Sequence, residues 1–251
     1  MKDSVFTVVS TEQLTQTVFK TVFEGDTTAI GAPGRFVNIS IEGLYLRRPI
    51  SVCDLDGDLL TLVYRTVGKG TERLSRSKTG DRFKMLTGLG NGYDISAAGD
   101  RPLLIGGGVG IPPLLFLAKK LREKGVRAAA VLGYSCADDM FLEREFREVG
   151  CDVAVTTVDG SAGIRGFVTD AIPVDYSYFY ACGPEPMLKA VFYATSTEGE
   201  FSFEERMGCG FGACMGCTCK TTVGARRICR DGPVFKKSEI LWDRDRGGKL
   251  I

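Results

Sequence analysis

The sequence predicts a chain of mixed class, α/β plus β: an amino-terminal antiparallel β-barrel, an α/β domain with a parallel sheet, and a small cysteine-rich subdomain. Three observations carry this. The first ~95 residues are short alternating runs rich in β-branched side chains and punctuated by Gly, Pro and Asp. From Asp100 onward, apolar strand-like runs alternate with helical stretches, the pattern of a doubly wound parallel sheet. The last part holds Cys209, Cys214, Cys217, Cys219 and Cys229 in a segment with too little apolar content for a core of its own. The expected segments are 1–97, 98–200 and 201–251.

Barrel strands are expected at 4–9, 13–22, 35–41, 50–54 and 59–67, whose regular spacing suits a small antiparallel barrel. The second segment opens with a strand at 102–105 and the turn Gly106-Gly-Gly-Val-Gly110, followed by a helix at 111–124. A strand at 127–132, a helix at 139–147, a strand at 152–156, a short helix at 166–171 and a strand at 176–180 complete a Rossmann-like order. A last helix follows Cys182-Gly183-Pro184. Glycine where a strand turns into a helix lets backbone N–H groups approach a phosphate at the helix N-terminus. Gly106, Gly107, Gly108 and Gly110 are therefore candidate nucleotide-binding residues, and Pro112 and Pro113 suit a first helical turn. Their spacing is not Gly-x-Gly-x-x-Gly and they open a second domain, which points to another nicotinamide-binding family.

Composition narrows the function. Among 251 residues, 32 basic side chains balance 31 acidic ones, which favours neither a nucleic-acid groove nor a polybasic membrane surface. No apolar run approaches the ~18–20 residues a bilayer crossing needs. The opening Met-Lys-Asp-Ser-Val-Phe lacks the apolar stretch of a secretory signal, so a cytoplasmic protein with reduced thiols is expected. Histidine is absent, which removes Ser-His and Cys-His nucleophiles, a His-ligated haem and a Rieske centre. No side chain is assigned a catalytic role; bound cofactors are expected to carry the chemistry.

Cys209, Cys214, Cys217 and Cys229 spell Cys-x4-Cys-x2-Cys-x11-Cys. The first three match the plant-type ferredoxin spacing for a 2Fe-2S cluster. Gly208, Gly210, Gly212 and Gly216 suit a loop wrapped tightly around such a group. An odd cysteine count argues against a disulfide framework. Zinc held by Cys214, Cys217, Cys219 and Cys229 is the competing reading, although only one Cys-x2-Cys knuckle is present. Cys219 is then a spare thiol or a substitute ligand. Cys53, Cys136, Cys151 and Cys182 read singly as small hydrophobes.

Further motifs resemble a known superfamily. Arg48-Pro49-Ile50-Ser51 resembles the Arg-x-x-Ser flavin motif of ferredoxin-NADP reductases, which implies that Arg48 pairs with an FAD phosphate and Ser51 lies by the isoalloxazine. Gly68 to Ser75 resembles the superfamily's pyrophosphate loop, with Gly70 and Thr71 entering a short helix, and Cys182-Gly183-Pro184 resembles its turn beside the nicotinamide. With Leu89-Gly-Asn-Gly-Tyr93 and Cys229-Arg-Asp231-Gly-Pro-Val-Phe235, the order of pieces closely resembles the electron transfer subunits of NAD-dependent class 1B dihydroorotate dehydrogenases over essentially the whole chain. The compact gap before Cys229 and the additional Cys219 depart from the pattern.

The resemblance implies FAD, a 2Fe-2S cluster and NAD as cofactors. It also implies an FMN-containing catalytic subunit as partner, in a heterotetramer with two of each, working in pyrimidine (UMP) biosynthesis. Related alternatives are NAD(P)H-dependent flavin/iron-sulfur reductase subunits serving ferredoxin or a sulfide dehydrogenase; a non-enzymatic one is a zinc-stapled nucleotide-binding module. Asp138 and Asp139 lie where an adenosine ribose is expected, with no basic residue adjacent in sequence, which favours NAD over NADP.

Overall fold

Six antiparallel strands close the first barrel: β1 Lys2–Gln13, β2 Val18–Glu24, β3 Phe36–Ile39, β4 Arg48–Asp56, β5 Leu59–Arg65 and β6 Arg82–Leu89, in the order β1-β2-β5-β4-β3-β6. The computed structural model describes residues 1–242, so positions 243–251 of the expected third segment lie outside the described residues. Alternation places Phe6, Val8, Phe23, Val37, Ile39, Leu60, Leu62 and Met85 in one barrel core. The expected strand at 13–22 instead begins at Val18, because the Thr15 hydroxyl accepts the N–H groups of Thr17 and Val18 and turns the chain. The closing strand β6 went unread, since Arg82, Lys84, Thr87 and Gly88 dilute its apolar alternation. Helix α1, Lys69–Ser75, connects β5 to β6.

The second layer system is a parallel sheet. Its elements are β7 Leu103–Gly107, α2 Ile111–Glu123, β8 Ala129–Tyr134, α3 Glu143–Val149, β9 Asp152–Thr157, β10 Ile164–Arg165, β11 Phe179–Cys182, α4 Glu185–Ala194 and β12 Gly199–Ser202. The helix expected at 139–147 starts later because Leu142 takes a left-handed conformation, φ 64°, and the Tyr134 hydroxyl ties down the Phe141 carbonyl at 2.6 Å. The short helix at 166–171 is one 3-10 turn over Val168–Ala171. Strand β12 is fully buried yet reads Gly-Glu-Phe-Ser, with no apolar signature.

The cysteine-rich segment supplies the hairpin β13 Thr218–Thr221 and β14 Gly224–Arg227, the single turn α5 Ile228–Asp231, and β15 Val234–Lys236. Strand β15 joins the large sheet antiparallel to β12, giving β10-β9-β8-β7-β11-β12-β15. Its apolar side chains are borrowed into that domain: Ile228, Val234, Phe235, Ile240 and Trp242 are all buried, most of them against Leu103, Ile105, Phe179 and Phe201. Asn91, just past β6, clamps the segment to the barrel. Its Nδ2 donates to the Val234 carbonyl at 2.7 Å, its Oδ1 accepts the Val234 N–H at 3.0 Å, and its own N–H donates to the Gly232 carbonyl at 2.6 Å.

Barrel and sheet also share side chains. Phe116 of α2 inserts into the barrel core, Val18, Cys53 and Val63 of the barrel join the α/β core, and Lys119 pairs with Asp54 at 2.5 Å. Among the described residues no helix is long and apolar enough to cross a membrane.

Glu200 of β12 is 4 % exposed, and its Oε2 accepts the Asp94 N–H at 2.9 Å across the junction between barrel and sheet. Burial raises its carboxyl from 4.5 to about 7. A raised acid favours folding while protonated, so its contribution is complete below pH 4.5 and is lost as pH rises through about 7. Glu200→Gln keeps an acceptor for Asp94 and removes that titration. Urea unfolding of wild type should lose on the order of 3 kcal/mol between those limits that the variant retains; parallel pH profiles would contradict this.

Candidate functional site

The parallel sheet changes direction of winding between β7 and β11. Strands β8, β9 and β10 lie on one side and β12 on the other, so this is the switch point outside whose carboxyl ends open α/β sheets bind ligands. Cys182 is paired in register with Gly106, which sets the turn after β7 against Cys182-Gly183-Pro184. At three of the four glycines there a Cβ would meet a close neighbour. A Cβ on Gly106 would lie 2.7 Å from Ile111 Cγ1, one on Gly107 would strike the Met187 sulfur, and one on Gly110 would overlap the Cys182 carbonyl. Gly108 has the left-handed φ of 51° that only glycine adopts cheaply.

A cavity of about 400 Å³ opens beside this turn. Its walls come from all three parts: Pro49, Ile50, Ser51 and Thr71 from the barrel, Gly107 to Gly110 and Cys182 to Pro184 from the switch point, and Phe203, Glu204, Glu205 and Met207 from the approach to the cysteines. A second cavity of about 640 Å³ adjoins it and is bordered by Arg47, Arg48, Thr71, Gly183, Pro184 and the same approach segment. Register explains the barrel wall: Ser51 faces outward with Phe36 and Pro49 with Asn38, while Ile50 pairs with Val37 and joins the barrel core.

Arg48 lies directly on Gly70, where any Cβ would overlap its guanidinium, and donates to the Leu46 carbonyl. Thr71 is buried, accepts the Val67 N–H at 2.9 Å and donates to the Gly68 carbonyl at 3.1 Å, which fixes the entry to α1. A guanidinium held over a glycine at a helix entry, beside an apolar cavity, suits a dinucleotide phosphate. Burial pushes the Cys182 thiol up to about 12, against the lowering effect of hydrogen bonds with Ser202 and Tyr93, so it stands there as a neutral thiol.

The four expected cluster cysteines gather as two pairs. Cys209 and Cys214 interact with each other, as do Cys217 and Cys229, and Cys209 also acts on Cys229. Backbone N–H groups point at the sulfurs: Ala213 and Cys214 donate to Cys209 Sγ at 3.2 and 3.4 Å, and Cys229 donates to Cys217 Sγ at 3.4 Å. Burial raises the Cys209 thiol, but these donors together with Phe211 outweigh it and bring it down to about 6. Gly208 and Gly216 border Cys214, where a Cβ would stand 3.2 and 3.6 Å from the sulfur. Among the described residues no three ligating side chains converge closely enough for one metal ion. Two thiol pairs with N–H donors fit the two-iron geometry of a 2Fe-2S cluster better than the single tetrahedral centre of zinc. Cys219 is buried on β13, its thiol raised to about 11 by burial and by the neighbouring Cys217.

Several wall residues were not singled out from sequence. Met207 and Phe203 precede the first cysteine without any motif; Asn38, which does not line the cavity but reaches the Cys209 backbone, was hidden inside a strand. A polar residue between Val37 and Ile39 was the available signal for Asn38.

Comparison with known proteins matches this geometry. Residues 204–241 match the family described as the iron-sulfur cluster binding domain of dihydroorotate dehydrogenase B. The chain is 42 % identical to the dihydroorotate dehydrogenase B (NAD+) electron transfer subunit of Geobacillus sp. (strain WCH70), over 96 % of this chain and 99 % of that one. It is 39 % identical to the same subunit of Fusobacterium nucleatum subsp. nucleatum, with 96 % and 99 % covered. Among solved structures, one of the NADH-dependent reduced ferredoxin-NADP oxidoreductase, described for flavin-based electron bifurcation, superposes with a TM-score of 0.85 at 32 % identity, covering 95 % of this chain and 90 % of that one. The ferredoxin reductase of carbazole 1,9a-dioxygenase shares the fold, with a TM-score of 0.64 at 22 % identity over 77 % of this chain and 65 % of that one.

The glycine geometry has a direct test. Gly110→Ala drives its Cβ into the Cys182 backbone and should cost about 1–3 kcal/mol, whereas Gly108→Ala pays only the left-handed penalty of about 1 kcal/mol. Thermal melting of the two variants should rank them in that order; equal losses would contradict the packing assignment.

Proposed function

The chain belongs to the family of electron transfer subunits of dihydroorotate dehydrogenase B, and from that premise we propose that it carries FAD and a 2Fe-2S cluster and delivers to NAD+ the electrons of an FMN-bearing catalytic subunit, in a heterotetramer with two subunits of each kind. The observation that carries this reading is the cavity walled at once by the Arg48 strand, the switch-point turns and the approach to Cys209. Nicotinamide exchanges hydride and an iron-sulfur cluster exchanges single electrons, so bound FAD supplies the conversion between them.

The chain's own residues hold and orient. Arg48, with Gly70 beneath it and Thr71 fixing the loop, takes the FAD phosphates, while Pro49, Ile50 and Ser51 line the isoalloxazine wall. Gly106, Gly107, Gly108 and Gly110, with Cys182, Gly183 and Pro184, receive the nicotinamide nucleotide. Cys209, Cys214, Cys217 and Cys229 would hold the 2Fe-2S cluster. Asp138 and Asp139 in the turn after β8 disfavour a 2′-phosphate and favour NAD. Nine cysteines with no disulfide among them fit a reducing, cytoplasmic setting.

Dihydroorotate oxidation needs a base to take a proton, and a chain without histidine presents no evident agent for it. That step falls to the partner, and because single-electron transfer needs the donor flavin close by, the cluster segment faces it; the chain works as half of an enzyme in pyrimidine biosynthesis. The alternative is a reductase subunit serving ferredoxin or a sulfide dehydrogenase; the four thiols and the 42 % identity over nearly the whole length favour the first reading.

Arg48→Ala leaves a phosphate charge without its partner, at about 2–3 kcal/mol. Flavin should wash out of the variant on dilution, and unchanged flavin occupancy would contradict the site. For the function itself, the purified chain with FAD should oxidise NADH with artificial acceptors and show no dihydroorotate oxidation until the catalytic subunit is added. Dihydroorotate:NAD+ activity from this chain alone, or none from the reconstituted pair, would overturn the reading.

A further inference from the structure

Asn38 is a polar side chain where the barrel has no use for one. It lies in β3 between Val37 and Ile39, which are fully buried in the barrel core, and alternation turns it outward with Phe36. It is nevertheless only 1 % exposed. Its Nδ2 donates to the Cys209 carbonyl at 3.2 Å, and its buried Oδ1 has no protein partner. Its cross-strand neighbour is Pro49, which borders the cavity. On the far side Gly210 has φ 78°, and any Cβ there would overlap Asn38 Nδ2. One amide thus spans from the cavity wall to the backbone of the first cysteine, and the loop carries glycine at the point of closest approach.

We infer that Asn38 is a positioning residue for electron transfer: it pins the Cys209 loop against the strand that walls the flavin cavity and so sets the rate at which electrons cross between FAD and the cluster. The inference rests on the reading that Cys209 ligates the cluster and the cavity holds FAD. In the direction driven by NADH, hydride passes from NADH to FAD; one electron is then lost by the reduced flavin and gained by one ferric iron, which becomes ferrous. Electron tunnelling weakens steeply with separation, so a small retreat of the loop acts on the second step. The first step is served by Gly106 to Gly110 and Cys182 to Pro184, which Asn38 does not touch.

The test uses the full chain with both groups bound, as wild type, Asn38→Leu and Asn38→Asp, mixed anaerobically with excess NADH in a stopped-flow spectrometer. Flavin bleaching reports the hydride step, and loss of the cluster's visible absorption reports the electron step. The expected result is an unchanged flavin phase with a cluster phase slowed about tenfold or more in both variants, the scale of a small misplacement of reacting groups. The paramagnetic signal of the reduced cluster should persist. Asn38→Asp keeps the shape and, at a pH where its carboxylate is ionised, lacks the donor, so there it carries the test if the leucine variant folds poorly, and Gly210→Ala should reproduce the split from the other side of the contact. A wild-type cluster phase in Asn38 variants that retain both groups overturns the inference. Equal slowing of both phases, or loss of the cluster from every variant, assigns Asn38 a structural role and overturns it as well. A wild-type chain lacking flavin or cluster absorption would instead refute the underlying reading before any variant is compared.

Discussion

The whole arrangement depends on how a segment with no core of its own is held in place. Asn91 does for the cysteine-rich segment what a strand partner would do, exchanging both a donated and an accepted hydrogen bond with the Val234 backbone. That contact seats β15 on the edge of the large sheet, where Phe235 lies opposite Phe201. Once β15 is seated, the short turn carrying Cys229 is fixed, closed by the Asp231 carboxylate accepting the Arg227 N–H at 2.8 Å. Cys229 then meets Cys217. Thiolate bonds to iron add to an order that side-chain hydrogen bonds have already imposed.

The same seating brings three chemistries to one cavity. The barrel contributes Arg48 over the entry to α1 and an apolar wall, the sheet contributes the crevice at its switch point, and the cysteine-rich segment contributes the thiols. Neither larger part is free to drift: Phe116 from α2 fills the barrel core, and Glu200 reaches across to the Asp94 N–H. Such sharing suits an electron carrier, whose task is to keep distances constant while charge moves.

Much of this was legible in the sequence because it is local. Strand alternation, the glycine turn after β7, the Arg-x-x-Ser tetrapeptide and the cysteine spacing each lie within a short window, and the family resemblance followed from their order. What escaped was non-local or compositionally disguised. Strands β6 and β12 carry Arg, Lys, Glu and Ser at positions that only their sheet neighbours justify. Asn38 meets a partner 171 residues away and Asn91 one 143 residues away, separations that no window captures. Nor does any window show the packing at the glycine turn, where a Cβ on Gly106 would meet Ile111 and one on Gly110 the Cys182 backbone.

The central claim is that one chain holds a two-electron carrier and a one-electron carrier side by side. An anaerobic reductive titration of the purified chain, followed by visible absorption and electron paramagnetic resonance, tests it most directly. The account predicts two electrons taken up by flavin and one by a cluster whose reduced form gives the rhombic signal of a 2Fe-2S centre. Uptake by flavin alone, with metal analysis finding zinc in place of iron, would contradict it.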